Sequence, residues 1–169
     1  GELAEIVDLL KQESFEAVAV CFLHSYANPI HEEQAGKFLR RELPGVFVTL
    51  SHELIREIRE YERTSTTVLN AYIGPVMGGY LAHLDKRLKS LNFQGSLLIM
   101  QSAGGCMSVE VAKKQPINSI ESGPVSGVIA ACHLTKLIDL SEAIAFDMGG
   151  TTAKTAFIKE GTVPLAPGI

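Results

Sequence analysis

The sequence predicts an α/β fold, because short apolar runs that suit buried strands alternate along the chain with segments of helical periodicity. The composition is that of a globular protein, with 46% apolar and 20% charged residues, and a chain of 169 residues can bury a substantial core. The net charge is −4 and no basic block stands out. These features argue against disorder and against nucleic-acid binding.

The sequence also carries no sign of a membrane protein. No apolar run approaches the roughly 20 residues that span a bilayer, and the first residues lack a signal-peptide pattern. The three cysteines form no C-x-x-C pair, which suits a reducing compartment, so we expect a cytoplasmic protein. Because the first residue is not Met and the last residues follow a hairpin-like start, we expect an internal fragment of a longer protein.

The first fifty residues predict a helix, a strand, a second helix and a second strand. Apolar residues at helical spacing indicate a helix over residues 3–10, and a nearly continuous apolar run predicts a strand over 17–23 that is buried on both faces. Asn28-Pro29 suits a helix start, with Asn as a cap, and Pro44 ends that helix before a strand over 46–50.

A long helical pattern follows over residues 51–91. Forty unbroken helical residues would extend about 60 Å, which is too long for a compact domain of this size. Gly74-Pro75 provides a break, so we expect two helices or one sharply bent helix. The charged residues over 53–63, such as Arg56, Glu60 and Arg63, pair at helical spacing and are expected to form a solvated face.

The second half of the chain predicts further alternation. In order, we expect a strand over 96–101, a turn at Gly104-Gly105, a short helix ended by Pro116, a strand over 117–120, a helix over 125–137, and strands over 143–147 and 153–159 that a glycine turn joins.

The glycine turn between the last two strands is the most informative segment. Asp147 ends an apolar strand, and Gly149, Gly150, Thr151 and Thr152 follow it. Glycines admit a close ligand or a positive φ, and their N–H groups together with the two hydroxyl groups suit an anion. Asp147 suits Mg²⁺, through water, or an attacking water. An ordinary hairpin with a Gly-Gly turn remains the alternative interpretation.

A second candidate segment precedes it by about 25 residues. Glu121, Ser122 and Gly123 lead into an apolar helix, and a helix start with small residues favours an anion. The structural alternative is that Ser122 caps the helix and Gly127 makes a packing contact. If both segments are functional, the helix start and the glycine hairpin should lie close together. Zinc-protease, P-loop and hydrolase-elbow patterns are all absent from the chain.

Five blocks in order carry a resemblance to a known family. They are residues 24–32 (HSYANPIHE), 60–72 (EYERTSTTVLNAY), 100–105 (MQSAGG), 121–124 (ESGP) and 147–154 (DMGGTTAK). The chain therefore resembles the hydantoinase A / oxoprolinase family, which includes 5-oxoprolinase, the ATP-dependent N-methylhydantoinase and the acetone carboxylase β subunit. That family is similar to actin-like (ribonuclease H-like) ATPases, so the resemblance implies a partial fold of this type, with the end of a first lobe and the start of a second.

The resemblance implies a division of the chain and a set of site residues. Residues 1–120 would belong to the first lobe, 121–139 to a crossing helix that faces the cleft, and 140–169 to the second lobe. The segment from Gly149 to Thr152 would hold the phosphates of ATP, and Asp147 would act beside Mg²⁺ and water. Glu121 to Gly123 would border the nucleotide. The family's first phosphate loop and its adenine site would lie outside this chain.

The resemblance also implies an activity. The family uses ATP to activate the carbonyl group of a lactam or cyclic imide for ring opening, and it works on a small cyclic amide together with a hydantoinase B-type subunit. We therefore expect a fragment of an ATP-dependent cyclic amidohydrolase, inactive alone. Three alternatives stay open, namely an enzyme component of the acetone carboxylase type, an actin-like kinase of small molecules, and a non-catalytic interaction module that uses residues 51–91.

Overall fold

The computed structural model describes residues 2–164, which divide into two compact units. The first unit comprises residues 2–97 and 108–117, and the second comprises 98–107 and 118–164. Gly1 and residues 165–169, which fall within the predicted lobes, lie outside the described residues. Within residues 2–164, no helix is both long enough and apolar enough to cross a membrane.

Helices and strands alternate as the sequence predicts. In chain order they are α1 (Glu2–Gln12), β1 (Ala17–Val20), α2 (Ile30–Glu42), β2 (Phe47–Leu50), α3 (Ser51–Leu54), α4 (Glu60–Ser90), β3 (Leu98–Met100), β4 (Cys106–Ser108), α5 (Val109–Lys114), α6 (Ser122–Leu137), β5 (Glu142–Met148) and β6 (Ala153–Lys159).

The first unit is built on the parallel pair of β1 and β2, which has helices on both faces. Side chains alternate along β2, so that Val48 and Leu50 join an apolar core with α1 and α2. Thr49 instead accepts a hydrogen bond from Asn70 of α4, at 3.1 Å. The strand predicted over 17–23 does have helices on both faces, although Ala17 to Ala19 are half-buried and β1 ends at Val20, three residues earlier than expected.

A buried carboxylate ties these elements together. Glu32 of α2 is fully buried, and its Oε1 accepts hydrogen bonds from the Ser51 hydroxyl at 2.7 Å and the Phe22 N–H at 2.8 Å. Its Oε2 accepts from the N–H of His52 at 3.0 Å and from His52 Nδ1 at 2.7 Å. Since an ionised carboxylate only accepts, Nδ1 of this histidine carries a proton. Arg63 Nη2 lies 3.5 Å from Oε1 and completes the ion pair.

These bonds perturb the ionisation of Glu32. Burial by itself raises the pKa of this carboxyl group, because the charged form loses its hydration. The hydrogen bonds from the Ser51 hydroxyl, the Phe22 N–H, and the N–H and ring of His52 outweigh that effect and lower the pKa from 4.5 to about 2. Glu32 is therefore a charged group of the interior at neutral pH.

The same network shows that the predicted solvated face over residues 53–63 is wrong for Arg63, although Arg56 and Glu60 are exposed as expected. Arg63 is among the largest fully buried side chains, with 1% exposure. Its Nη2 also donates to the Phe22 carbonyl at 3.0 Å and to the hydroxyl of Ser25, and its guanidinium lies 5.6 Å from the centre of the Tyr26 ring. The charge is buried because a carboxylate distant in the sequence is there to pair with it.

The network also explains why the long helical pattern breaks at residues 55–59 and not at Gly74-Pro75. In one continuous helix, Ser51 and Arg63 would lie about 18 Å apart along the axis. In the structure, Arg63 Nη2 lies 2.5 Å from Ser51 Oγ, and both groups contact Glu32. The chain must turn back between them, and it does so through the extended Ile55 and through Arg59 at φ 93°.

Helix α4 runs without interruption through Pro75, so the predicted break at this position is wrong. An interior proline costs a helix about 3 kcal/mol, but this helix packs along both strands of the first unit. The residue before the proline makes that packing close, because a Cβ atom on Gly74 would overlap the ring of Phe47. Burial against the sheet therefore outweighs the local preference of Pro75.

The second unit contains β3, β4, α6 and the antiparallel hairpin of β5 and β6. Gly104 and Gly105, both at positive φ, form the predicted turn between β3 and β4. The predicted strand over 117–120 is wrong, because Pro116–Ser119 is a 3₁₀ helix. The carbonyl group of Asn118 in this short segment accepts hydrogen bonds from Ser102.

The depressed pKa of Glu32 predicts an acid-sensitive term in stability. A carboxyl group with a lowered pKa stabilises the fold above pH 4.5, and this contribution is lost as the pH falls towards 2. The difference in free energy of unfolding between wild type and Glu32→Gln should therefore shrink by about 2 kcal/mol between pH 6 and pH 3. Urea denaturation at several pH values measures it, and a difference that stays constant with pH would contradict the assignment.

The close approach of α4 to β2 predicts opposite effects for two glycines of one helix. Gly74→Ala should destabilise the protein by about 1–3 kcal/mol, because the added methyl group displaces the Phe47 ring. Gly78→Ala is the matched control, since its Cβ would meet nothing within 4 Å, and it should stabilise by about 0.5–1 kcal/mol. Urea denaturation of both variants provides the comparison, and equal effects would exclude the contact as the cause.

Candidate functional site

The hairpin of the second unit presents the predicted glycine turn at its tip. β5 and β6 pair in register from Glu142–Lys159 to Met148–Ala153, which leaves residues 149–152 as the turn. The Gly149 N–H donates to the Thr152 carbonyl at 3.0 Å and closes it. All four residues of the turn are exposed, so the remaining N–H and hydroxyl groups are accessible to a ligand.

The two glycines of this turn are not needed to allow a positive φ. Neither Gly149 nor Gly150 adopts the left-handed conformation. A Cβ atom on Gly150 would meet nothing within 4 Å, and one on Gly149 would make only an ordinary contact, with the Thr152 carbonyl at 3.9 Å. The chain itself does not require glycine here, and what the two glycines provide is free space beside the turn.

The start of α6 is the second predicted segment. The helix begins at Ser122, and the residue before it, Glu121, is left-handed with φ 62° and makes no side-chain cap. The interpretation of Ser122 as a cap is therefore wrong. The first N–H groups of a helix have no partner within it, and Pro124 has no N–H, so Ser122 and Gly123 supply the donors at this end.

A cleft of about 300 Å³ lies between α6 and the hairpin. The predicted proximity of the helix start and the glycine hairpin is thus what the structure has. Gly127 of α6 lines the cleft, and a Cβ atom there would meet nothing within 4 Å, so the predicted packing contact is absent among the described residues. The residues that line the cleft are Pro124, Gly127, Val128, Ala131, Ile144, Ala145, Phe146, Asp147, Lys154 and Thr155.

Two charged side chains, Asp147 and Lys154, line this cleft, and only Lys154 forms an ion pair. Asp147 and Lys154 are direct partners across the hairpin and share its α6 side. The amine of Lys154 nevertheless forms its salt bridge with the carboxylate of Glu121. Within residues 2–164 the Asp147 carboxylate has neither a hydrogen bond nor an ion pair. An exposed carboxylate at the edge of the cleft is thus left without a counter-charge.

Ser102 anchors the segment that precedes Glu121. Its N–H and its hydroxyl donate to the Asn118 carbonyl at 2.7 and 2.8 Å, and the hydroxyl also contacts the Ile120 carbonyl. Ser102 therefore has a structural role. These bonds anchor the chain just before Glu121, at the point where its backbone turns into α6.

The donor set suits a phosphate with a divalent cation. Donors are available at the start of α6 and in the exposed turn of residues 149–152, and anions favour both a helix N-terminus and an exposed turn. Mg²⁺ keeps several waters and binds through one or two carboxylates together with phosphate oxygens, so a single free Asp147 fits it. The described residues contain no cluster of three or more metal-ligating side chains, which excludes an all-protein metal cage among them.

The structure brings together the two predicted segments, and it adds one residue that the prediction of the site left out. Asp147 lines the cleft, the turn of residues 149–152 continues beyond it, and Ser122 and Gly123 precede its first lining residue on α6. Lys154 is the addition. Its position opposite Asp147 follows from the hairpin register and a four-residue turn, whereas its pairing with Glu121 has no signal in the sequence.

Comparison with known proteins gives relatives that share most of this chain. An uncharacterized protein of Methanocaldococcus jannaschii is 43% identical over 93% of the chain, and the alpha subunit of the caprolactamase of Pseudomonas jessenii is 39% identical over 92%. The matches cover 23% and 22% of those proteins, so this chain spans less than a quarter of their length.

Solved structures give the same result for the fold. The crystal structure of the ATP-dependent caprolactamase from Pseudomonas jessenii matches with a TM-score of 0.81 and 37% identity, over 92% of this chain and 22% of that one. Nucleotide-free acetone carboxylase matches with a TM-score of 0.80 and 25% identity, over 94% and 23%. The α/β fold of this chain is therefore the fold of a segment within these enzymes.

Family profiles match almost the whole sequence. The profile described as Hydantoinase/oxoprolinase covers residues 63–167, and the profile of the Hydantoinase/oxoprolinase N-terminal region covers residues 1–43. The five sequence blocks, the shared fold and these matches agree, and the chain belongs to the hydantoinase/oxoprolinase family.

Proposed function

We propose that this chain supplies a phosphate-binding hairpin and a metal-binding carboxylate to the ATP site of an enzyme that opens cyclic amides. The observation that carries the proposal is the unpaired Asp147 at the edge of a cleft, beside the exposed turn of residues 149–152. The Asp147 carboxylate contacts no other polar group among residues 2–164, and its exposure makes it accessible to a ligand. The remaining parts of the ATP site are proposed to lie in other segments of the intact protein.

The proposal assigns roles to Asp147, to the turn after it and to the start of α6. The free N–H of Gly150 and the hydroxyl groups of Thr151 and Thr152 donate to phosphate oxygens. The N–H groups of Ser122 and Gly123 do so from the facing side, where the positive end of the α6 dipole favours negative charge. Asp147 holds Mg²⁺ through an oxygen or through a bound water.

The proposed reaction uses these groups as fixed electrostatic partners. Bound ATP would supply a phosphoryl group for the carbonyl oxygen of the substrate, which turns a poor leaving group into a good one. Donors that are already in place lower the barrier to phosphoryl transfer, because they need no reorganisation as charge develops on the phosphate oxygens. The open space at Gly150 and Gly127 lets the phosphates approach the backbone closely.

The substrate class is proposed to be a lactam or cyclic imide. Support comes from the similarity to the ATP-dependent caprolactamase, at 37% identity over a closely matching fold. The likeness to acetone carboxylase favours a second candidate, in which the activated oxygen belongs to a ketone. Release of ADP by the intact protein in the presence of either a lactam or a ketone would separate the two.

The proposal extends to partners and location. Relatives are named as subunits, such as the alpha subunit of caprolactamase, which supports a second subunit of the B type as partner. The cysteines at 21, 106 and 132 are all free thiols, which supports the cytoplasm, where ATP is also present. Helix α4 exposes apolar side chains along one side, including Tyr61, Tyr72 and Val76, and these favour a role in assembly alongside catalysis.

Removal of the free carboxylate tests the metal role. Asp147→Asn keeps the shape of the side chain but removes its charge, so the affinity of the intact protein for Mg·ATP should fall at least tenfold, or about 1.4 kcal/mol. Its affinity for ATP without metal should stay equal or rise, because a repulsive charge is lost. Isothermal calorimetry measures both.

The matched control for that variant is Glu142→Gln, at the other end of the same strand. It changes the net charge by the same amount and should leave the affinity for Mg·ATP unchanged. If the two variants behave alike, or if the wild-type protein ignores Mg·ATP, the assignment of the hairpin fails.

Filling the open space tests the phosphate role. The methyl group of Gly150→Ala meets no atom of the chain, so stability should not change, but the group occupies the space assigned to a phosphate. The affinity for ATP should fall about tenfold. Gly79→Ala, which is equally open but lies on α4, is the control and should bind ATP as wild type does. Unchanged binding by Gly150→Ala would mean that the turn does not contact the phosphates.

A further inference from the structure

Lys154 of the hairpin has two carboxylates as neighbours, those of Asp147 and Glu121, and it forms a salt bridge only with Glu121. Lys154 stands directly across the ladder from Asp147, on the same side of the hairpin. Its amine forms a salt bridge with Glu121, although Glu121 is 33 residues distant and belongs to another element. This choice of partner determines which carboxylate remains free.

The unused pairing is well within reach. Side chains directly opposite in an antiparallel ladder have Cβ atoms about 5 Å apart, and opposite charges at such positions attract. The flexible lysine stem spans that distance in several rotamers. Without a competing carboxylate, Lys154 would therefore lie against Asp147.

Such a pairing would disable the carboxylate as a metal ligand. Asp147 is the one acidic side chain among the residues that line the cleft. An ammonium group on its oxygens would occupy the lone pairs that a divalent cation needs and would add positive charge where that cation has to sit. A cation site built on one carboxylate therefore requires that the neighbouring lysine be directed elsewhere.

Glu121 is in a position to direct Lys154 away from Asp147. Its left-handed backbone, with φ 62°, turns the chain just before α6, and Ser102 anchors the two preceding carbonyl groups of Asn118 and Ile120. A left-handed conformation is uncommon for a residue other than glycine, so this position is set by its surroundings and not by local preference.

We propose that Glu121 is a positioning residue that holds Lys154 away from Asp147 and so keeps the Asp147 carboxylate available to the metal ion. The proposal rests on the proposed function for the identity of that ion. Glu121 acts through Lys154 and does not itself contact the nucleotide. It is thus assigned a different duty from the nucleotide-bordering one that the sequence resemblance implies.

The test is a double-mutant cycle in the intact protein, with Glu121→Gln, Lys154→Met and the double variant. Isothermal calorimetry would measure the affinity for Mg·ATP, and for ATP with a chelator, in all four proteins. Glu121→Gln should weaken Mg·ATP binding about tenfold, because Lys154 is released onto Asp147. Lys154→Met alone should change it less than twofold, and the double variant should return to within about threefold of wild type.

The cycle distinguishes the proposed positioning role of Glu121 from a simple effect of local charge. A through-space effect is additive, so Lys154→Met would then raise the affinity for Mg·ATP by the same factor whether or not Glu121 is present. A factor for Lys154→Met that is the same in both backgrounds, whatever its sign, or a double variant as weak as Glu121→Gln, would overturn the proposal. Equal losses with and without the chelator would also overturn it, because the effect would then not involve the metal.

A structural measurement tests the proposed position of Lys154 without any nucleotide. A crystal structure of the nucleotide-free Glu121→Gln protein should show Lys154 Nζ within hydrogen-bond distance of an Asp147 carboxylate oxygen. A lysine that stays away from Asp147 would overturn the inference even if the wild-type protein binds Mg·ATP. If the wild-type protein does not bind Mg·ATP, the proposed function fails, whereas the position of Lys154 in the variant still decides the pairing.

Discussion

The first unit depends on one buried carboxylate. Glu32 receives hydrogen bonds or charge from the end of β1, from the junction of β2 and α3, and from the first turn of α4. Removing an ion from water is costly, and the cost is recovered only when its lone pairs are satisfied. Each element that contacts Glu32 is thereby fixed relative to the others, so the network specifies one arrangement of the unit more than it adds to stability.

The polar groups of the second unit are arranged in the opposite way. In the first unit the acceptors of Glu32 are saturated by donors from the chain, which is what a structural network requires. At the cleft, the carboxylate of Asp147 and the first N–H groups of α6 have no partner of that kind among the described residues. Groups that the fold leaves open at a concave surface are groups that a ligand can use.

Local patterns were sufficient to predict most of the elements from the sequence. Apolar periodicity located α1, α2, α6 and the β5–β6 hairpin, and Pro44 and Gly104-Gly105 marked an end and a turn. The candidate site was found for the same reason, since Asp147 and the turn after it form one continuous segment. The register of that hairpin also contained the position of Lys154 opposite Asp147.

Two of the predictions that failed, both on the long helical pattern over residues 51–91, depend on contacts between distant segments. Residues 55–59 contain no glycine or proline, so nothing local indicates that the chain turns there to return Arg63 to Glu32. Pro75 is a strong local signal, yet packing against the sheet overrides it. The pairing of Lys154 with Glu121 likewise joins a strand to a helix start, and periodicity carries no information about it.

The exposure of the hairpin links the ordering of the site to its occupancy. Ile144, Phe146 and Met148 of β5 are 71%, 62% and 70% exposed within the described part of the chain. A two-stranded ribbon opens locally at a lower free energy than a central sheet does. A ligand that binds only the intact hairpin shifts this opening equilibrium towards the intact form. The rigidity of the turn and its affinity for a ligand are then both determined by the same conformational equilibrium.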